Sequence, residues 1–150
     1  MVIKSYSKIN FSLNINSKLK NGLHEIQSYY CLINLSDKIK ISKIKEKKDK
    51  IFFKGPFVKN IKKSNNSIIN ILNLLRKLKL ITSYYAVTII KNIPVFSGLG
   101  GGTSNAAFIL KFLLKKEKID KNILNKFEKL IGSDLRLFFY KQGFLENLKT

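Results

Sequence analysis

Acidic residues are scarce in this chain: 9 Asp and Glu stand against 29 Lys and Arg, a formal charge of +20 over 150 residues. Such a surplus by itself suggests a nucleic-acid or anionic-membrane partner. Arginine is nearly absent, however, and no aromatic–basic recognition pattern interrupts the lysines. These are spread evenly among Asn and Ile, in the manner of an AT-rich coding bias. The expected partner is therefore a small anionic molecule and not a nucleic acid. Cysteine is limited to Cys31, which excludes an internal disulfide; among Tyr29, Tyr30, Leu32 and Ile33 it reads as a small core residue. No apolar run reaches the about 18 residues of a membrane span. Met1 to Tyr6 holds no apolar block of signal-peptide length, so a cytoplasmic protein with no membrane partner is expected. Pro-rich linkers and internal repeats are also missing. The length suits one domain that buries a core without disulfide or metal.

What is present is a concentration of glycine. Four of the eight glycines fall in Ile93-Pro94-Val95-Phe96-Ser97-Gly98-Leu99-Gly100-Gly101-Gly102-Thr103-Ser104-Asn105-Ala106-Ala107. The β-branched Ala86–Ile90 segment before it predicts a strand, and Ala106 to Leu114 after it predicts a helix. Glycines lacking Cβ let backbone N–H groups approach an anion, and the first turn of the next helix has unpaired N–H groups and a partial positive charge. Strand, glycine loop and helix together predict a phosphate cradle, with a nucleotide polyphosphate as the usual occupant.

Elsewhere the periodicity predicts further elements. Lys8 to Ile15 alternates polar and apolar, a half-buried strand that puts Lys8 and Asn10 on one face, toward solvent or toward a site. Asn21-Gly22 signals a turn, and Leu23 to Leu35 a strand pairing back, with the lone His24 near its start. Asp37 opens a segment in which Ile39 and Ile41 alternate with lysines. Glu46–Lys50 reads as a charged hairpin turn, and Ile51–Phe53 as a returning strand that ends at Gly55-Pro56. Ile68, Ile71, Leu72, Leu75 and Leu78 predict an amphipathic helix, capped by Asn65, Asn66 or Ser67. Lysines 115, 116 and 118 mark a solvated helix end. Asp120 can cap another helix with Leu124, Phe127, Leu130 and Ile131 on one face and Gly132 beyond it. Asp134 follows in a turn, where it can serve a site or bond locally to backbone. Leu135 to Tyr140 then reads as a strand, and Gly143 as the start of a tail.

The loop lacks the lysine of a Walker A motif, the spacing of a dinucleotide fingerprint, and the partner motifs of protein kinases. It resembles instead the phosphate loop of the GHMP small-molecule kinases. In sequence order, Ser7-Lys8-Ile9-Asn10-Phe11-Ser12-Leu13, Asn21-Gly22-Leu23-His24, Gly55-Pro56, Asn66 and Ile131-Gly132-Ser133-Asp134 are similar to that superfamily's other motifs. The triple glycine looks like the branch that acts on 4-diphosphocytidyl-2-C-methyl-D-erythritol in non-mevalonate isoprenoid biosynthesis.

The resemblance implies an α+β fold similar to domain 2 of ribosomal protein S5, a mixed sheet with helices on one side. Residues 1–150 would form the N-terminal ATP-binding domain, with the C-terminal domain absent from this chain. It implies Lys8 and Asp134 as the catalytic pair. ATP would sit against Pro94, Val95, Phe96, Ser97, Gly98, Leu99, Gly100, Gly101, Gly102, Thr103 and Ser104, with Asn66 by the adenine. The cytidine diphosphate-linked substrate would sit against Asn10 and His24. Mg²⁺ would arrive with ATP, near Thr103 or Ser104, with no metal ligand assigned. Leu23 stands where an aromatic residue stacks on cytosine, and Arg136-Leu137 where a proline step follows the aspartate. Two other readings stay open: a GHMP kinase for another small alcohol, and a truncated, non-catalytic ATP-binding remnant.

Overall fold

The computed structural model describes residues 2–18, 24–59, 61, 66–114 and 121–146. The Asn21-Gly22 turn, Leu23, Asn65, Asp120 and lysines 115, 116 and 118 lie outside the described residues, as does the side chain of His24.

Strand β1 (Val2–Asn10), β2 (Asn14–Lys18), the long β3 (His24–Ile44) and β4 (Lys50–Lys54) come first. Helix α1 (Ser67–Lys77), β5 (Tyr84–Ile90), α2 (Gly101–Leu114) and α3 (Lys121–Ile131) follow, then a 3₁₀ segment (Ser133–Phe139) and β6 (Gln142–Glu146). One mixed sheet runs β1-β3-β5-β4, with β2 and β6 also paired to β3. Only the β4–β5 pair is parallel among these pairings.

The helices cover one face. Ile39 and Ile41 of β3 and Val87 and Ile89 of β5 point into a core with Ile68, Ile71, Leu72 and Leu75 of α1 and Ala107, Ile109 and Leu110 of α2. Lys38, Lys40 and Ser42 face outward between them, as strand alternation requires. Each fully buried Ile or Leu contributes about 1.5–3 kcal/mol of transfer free energy. Helix α1 follows its predicted stripe, and Asn66 is its cap: the side chain accepts from Ile68 N at 3.0 Å and Ile69 N at 3.2 Å.

Several local expectations need correction. The Lys8–Ile15 alternation does not make one half-buried strand: pairing breaks at residues 11–13, and Phe11, Leu13 and Ile15 are exposed, whereas Ser5, Ser7 and Lys8 are buried. A bulge between Tyr6 and Ser7, where Ser7 Oγ donates to Leu35 O at 2.9 Å, re-aims this strand so that its polar end goes under the glycine loop.

β4 does not form a hairpin with β3 but pairs with the far side of β5. Asp49, at the bend, accepts the Tyr85 N–H at 2.8 Å and the Arg76 guanidinium, and so carries the chain across the end of β5. Residues 135–140 form 3₁₀ structure rather than a strand, because Leu135 and Phe138, three apart, share one buried side. Gly143 begins no tail but lies in β6, opposite Tyr30, whose hydroxyl would stand 3.0 Å from a Cβ there. Leu130 is 45% exposed, Cys31 is only partly buried, and α2 starts within the glycine run rather than at Ala106.

Candidate active site at the glycine loop

Residues 91–100 leave β5 and cross to α2 with three left-handed backbones: Phe96 at φ 62°, Gly98 at 75° and Gly100 at 70°. Two of the three are glycines because a Cβ is strained there. At Gly100 the glycine also serves packing, since a Cβ would lie 2.7 Å from Phe138 Cζ. The loop, the start of α1 and the end of β4 enclose a cleft of about 540 Å³. Pro94 to Gly98 and Gly100 to Thr103 line it, with Asn66 and Ser67 across from them. The first-turn N–H groups of α2 have no intrahelical partners, and no acidic side chain occupies that turn. This end of the cleft therefore suits an anion. Phe53, Ile61 and Val95 add apolar wall to the cleft, which suits a flat ring.

Two of the expected loop contacts face elsewhere. Leu99 is turned toward β1, its carbonyl accepting the Lys8 N–H at 3.1 Å. Ser104 is fully buried, its hydroxyl bonded to Tyr6 O and lying 2.7 Å from Ser5 Oγ, so it pins α2 to β1 instead of lining the cleft. Of the two hydroxyls expected near the phosphates, Thr103 is the one on the cleft wall.

On the other side of the loop, Lys8 and Asp134 come together although 126 positions apart. Lys8 Nζ lies 3.2 Å from Asp134 Oδ2 and donates to Asn10 Oδ1 at 2.7 Å, so Lys8 and Asn10 do share a face. Asn10 Nδ2 in turn donates to Ser28 Oγ, and Ser28 to Ser12 O at 2.6 Å. Lys8 is nearly buried, whereas the Asp134 side chain is 42% exposed, open to an arriving molecule. Lys8 Cγ would stand 3.5 Å from a Cβ on Gly100. The Lys8 stem thus packs against the loop at Gly100, and its ammonium lies at its contacts with Asp134 and Asn10. His24 pairs with Lys18 along the β2–β3 edge, and its side chain lies outside the described residues.

The turn carrying Asp134 is fixed by Arg136, which stands in place of the expected proline step, and by Lys111. Arg136 grips Glu128 with two bonds of 2.7 Å and Asn125 with one of 2.9 Å, locking the 3₁₀ segment to α3. Lys111 of α2 donates to Phe138 O, and burial pushes its ammonium below the ordinary lysine range. Among the described residues no group of three or more His, Cys, Asp or Glu stands ready to hold a metal ion.

Residues 66–137, from the cap of α1 through the 3₁₀ segment, match the model of the GHMP kinases N terminal domain. The fold is that of a GHMP kinase N-terminal domain. It is 44% identical over 138 residues to a Pelagibacter ubique protein named 4-diphosphocytidyl-2-C-methyl-D-erythritol kinase, covering 90% of this chain and 48% of that protein. A Thermosipho melanesiensis protein of the same name is 37% identical, over 91% of this chain and 48% of its own length. A crystal structure of 4-(cytidine 5'-diphospho)-2C-methyl-D-erythritol kinase superimposes with a TM-score of 0.70 at 20% identity, over 98% of this chain and 53% of that one. A mevalonate kinase structure gives 0.65 at 18%, over 99% and 55%. These superpositions show the GHMP fold. The chain spans about half the length of the curated relatives it matches.

Proposed function

We propose that this GHMP domain binds ATP in the glycine-loop cleft and serves a kinase that phosphorylates the 2-hydroxyl of 4-diphosphocytidyl-2-C-methyl-D-erythritol, a step of non-mevalonate isoprenoid biosynthesis. The observation that carries the reading is the Lys8–Asp134 pair, 3.2 Å apart, beside a loop that Lys8 also holds by its backbone. The names of the relatives point to the same substrate.

In the proposed reaction the Asp134 carboxylate takes the proton of the acceptor hydroxyl as that oxygen bonds to the γ-phosphorus. The bond from the γ-phosphorus to its bridging oxygen breaks, and ADP leaves. Lys8 offsets the charge that builds between nucleophile and phosphoryl group. Asn10 orients Lys8 and, with His24, borders the substrate side. The glycine-run N–H groups, Thr103 and the apolar wall of the cleft hold the nucleotide, with Asn66 beside the base. Thr103 would lie near Mg²⁺ bound with the phosphates, and the ion would supply further charge neutralisation. The remaining length of the relatives, which this chain does not match, would complete the substrate pocket. A cytoplasmic location is part of this proposal. No helix among the described residues is long and apolar enough to cross a membrane.

The match to about half of each relative supports a second reading, in which the 150-residue chain binds ATP without turnover. Both are tested by incubating the chain with ATP, Mg²⁺ and the diphosphocytidyl substrate, alone and with the unmatched half of the Pelagibacter relative added as a separate polypeptide. Phosphorylated product and ADP in the mixture, lost in Lys8→Ala and Asp134→Asn, support the kinase. ATP binding with no product in either case supports the second reading, and neither binding nor product contradicts both.

A further inference from the structure

Beneath the glycine loop lies a charged cluster that the proposed phosphoryl transfer does not use. Asp37, midway along β3, has no exposed surface, and Lys91, just after β5, is 4% exposed. Asp37 Oδ1 accepts the N–H groups of Asn92 and Ile93, both at 2.8 Å, where the chain enters the loop. Its Oδ2 accepts the Lys91 ammonium and, at 3.0 Å, the Asn105 amide of α2. One carboxylate therefore ties both ends of the glycine stretch to the central strand.

Lys91 is itself fixed. Its N–H donates to Lys54 O at 2.7 Å, and a Cβ on Gly55 would stand 2.7 Å from its carbonyl oxygen. Its Nζ would lie 3.1 Å from a Cβ on Gly101, which places the ammonium at the first turn of α2. Lys91 and Asn105 both border the cleft, and Asn105 Oδ1 is buried with no partner among the described residues. The amide is thus oriented by Asp37 alone.

A tie made of a carboxylate puts negative charge under a site that receives a polyphosphate, and like charges repel strongly where water is scarce. A neutral asparagine could accept the same N–H groups but not with the strength of an ionised acceptor. We propose that Lys91 is a positioning residue whose ammonium cancels the Asp37 charge, so that the carboxylate holds both ends of the loop without repelling the nucleotide phosphates. This rests on the nucleotide reading of the cleft.

The test compares the unaltered chain, Lys91→Met and the neutral pair Asp37→Asn/Lys91→Met, by calorimetric titration with ATP and by thermal unfolding without it. Lys91→Met should bind ATP at least about tenfold more weakly and unfold at the lowest temperature, because it leaves a buried charge unpaired, and the neutral pair should recover most of both losses. Should Lys91→Met fail to fold, a folded neutral pair that binds ATP shows the same cancellation. A neutral pair no better than Lys91→Met in either readout overturns the proposal, as does unchanged ATP affinity in Lys91→Met. An unaltered chain that binds no ATP overturns the function itself and the phosphate part of the proposal with it, and the thermal series still decides whether Lys91 cancels Asp37.

Discussion

Replacing Gly100 by alanine should damage the fold more than replacing Gly98, although both residues have left-handed backbones and stand two positions apart. A Cβ at Gly98 meets nothing within 4 Å, so Gly98→Ala is charged only for its backbone conformation, about 1–2 kcal/mol. At Gly100 the same methyl would stand 2.7 Å from Cζ and 3.3 Å from Cε2 of Phe138, a ring with no exposed surface that cannot swing into solvent. Overpacking of that kind adds about 1–3 kcal/mol. At roughly 2–4 °C per kcal/mol for a chain of this size, Gly98→Ala should lower the unfolding temperature by roughly 2–8 °C and Gly100→Ala by a further 2–12 °C or so. Because Phe138 is the obstacle, Phe138→Leu should cost less in the Gly100→Ala background than alone. Thermal unfolding of the unaltered chain and the four variants followed by circular dichroism checks this. Equal losses for the two alanine variants, or additive losses in the double variant, would refute the close packing of loop on ring.

Three further outcomes follow from single contacts. Asn66→Ala removes the cap of α1 and should cost about 1 kcal/mol by urea denaturation, whereas Asn66→Ser, which can still accept from the first turn, should cost less. Asp49→Ala leaves the Tyr85 N–H without its acceptor and the Arg76 guanidinium with only Ser83 O and Asn73 Oδ1, a loss of about 3 kcal/mol, and a double-mutant cycle with Arg76→Met should show strong coupling. Burial, aided by Tyr140, raises the Tyr30 phenol above its ordinary value, so the folded state holds that proton more tightly than the unfolded one. Its contribution is complete below the unfolded value of about 10 and is lost as pH rises through the folded value. In an ultraviolet titration of phenolate absorbance, the late-ionising tyrosine should vanish in Tyr30→Phe.

The legible parts of the fold were those where one physical pattern acts alone. The stripe of α1, the β-branched run of β5 and the glycine loop each follow from local spacing, and all three are present. Failures occur where tertiary contacts override a local pattern. Phe11, Leu13 and Ile15 alternate like a buried strand, yet the bulge after Tyr6 spends that edge on bringing Lys8 beneath the loop. The apolar run after Asp134 looks like a strand, but Arg136, gripping Glu128 and Asn125, winds it into a turn. Of the site, the closeness of Lys8 and Asn10 was legible because strand geometry fixes it, while the approach of Lys8 to Asp134 came only by resemblance. The Asp37–Lys91 pair spans 54 positions and two strands; no spacing rule connects those residues, and lysines are too common here for one to stand out.

The central claim is that the front of the glycine loop receives nucleotide phosphates, and Gly102 offers the most direct test. It is exposed, it lines the cleft, and the nearest atom to a Cβ there is Ser67 Oγ at 4.0 Å. Gly102→Asp should therefore fold as well as the unaltered chain or slightly better, since an acidic residue in the first turn of a helix is favourable. Its carboxylate would nevertheless face the phosphates: two charges about 6 Å apart at an effective dielectric of about 20 repel by about 3 kcal/mol, roughly a hundredfold in affinity. Calorimetric titration with ATP should show one site on the unaltered chain, competed by tripolyphosphate, and a loss of that order in Gly102→Asp at unchanged unfolding temperature. ATP binding of equal strength in both proteins, or none in the unaltered chain, would contradict the account.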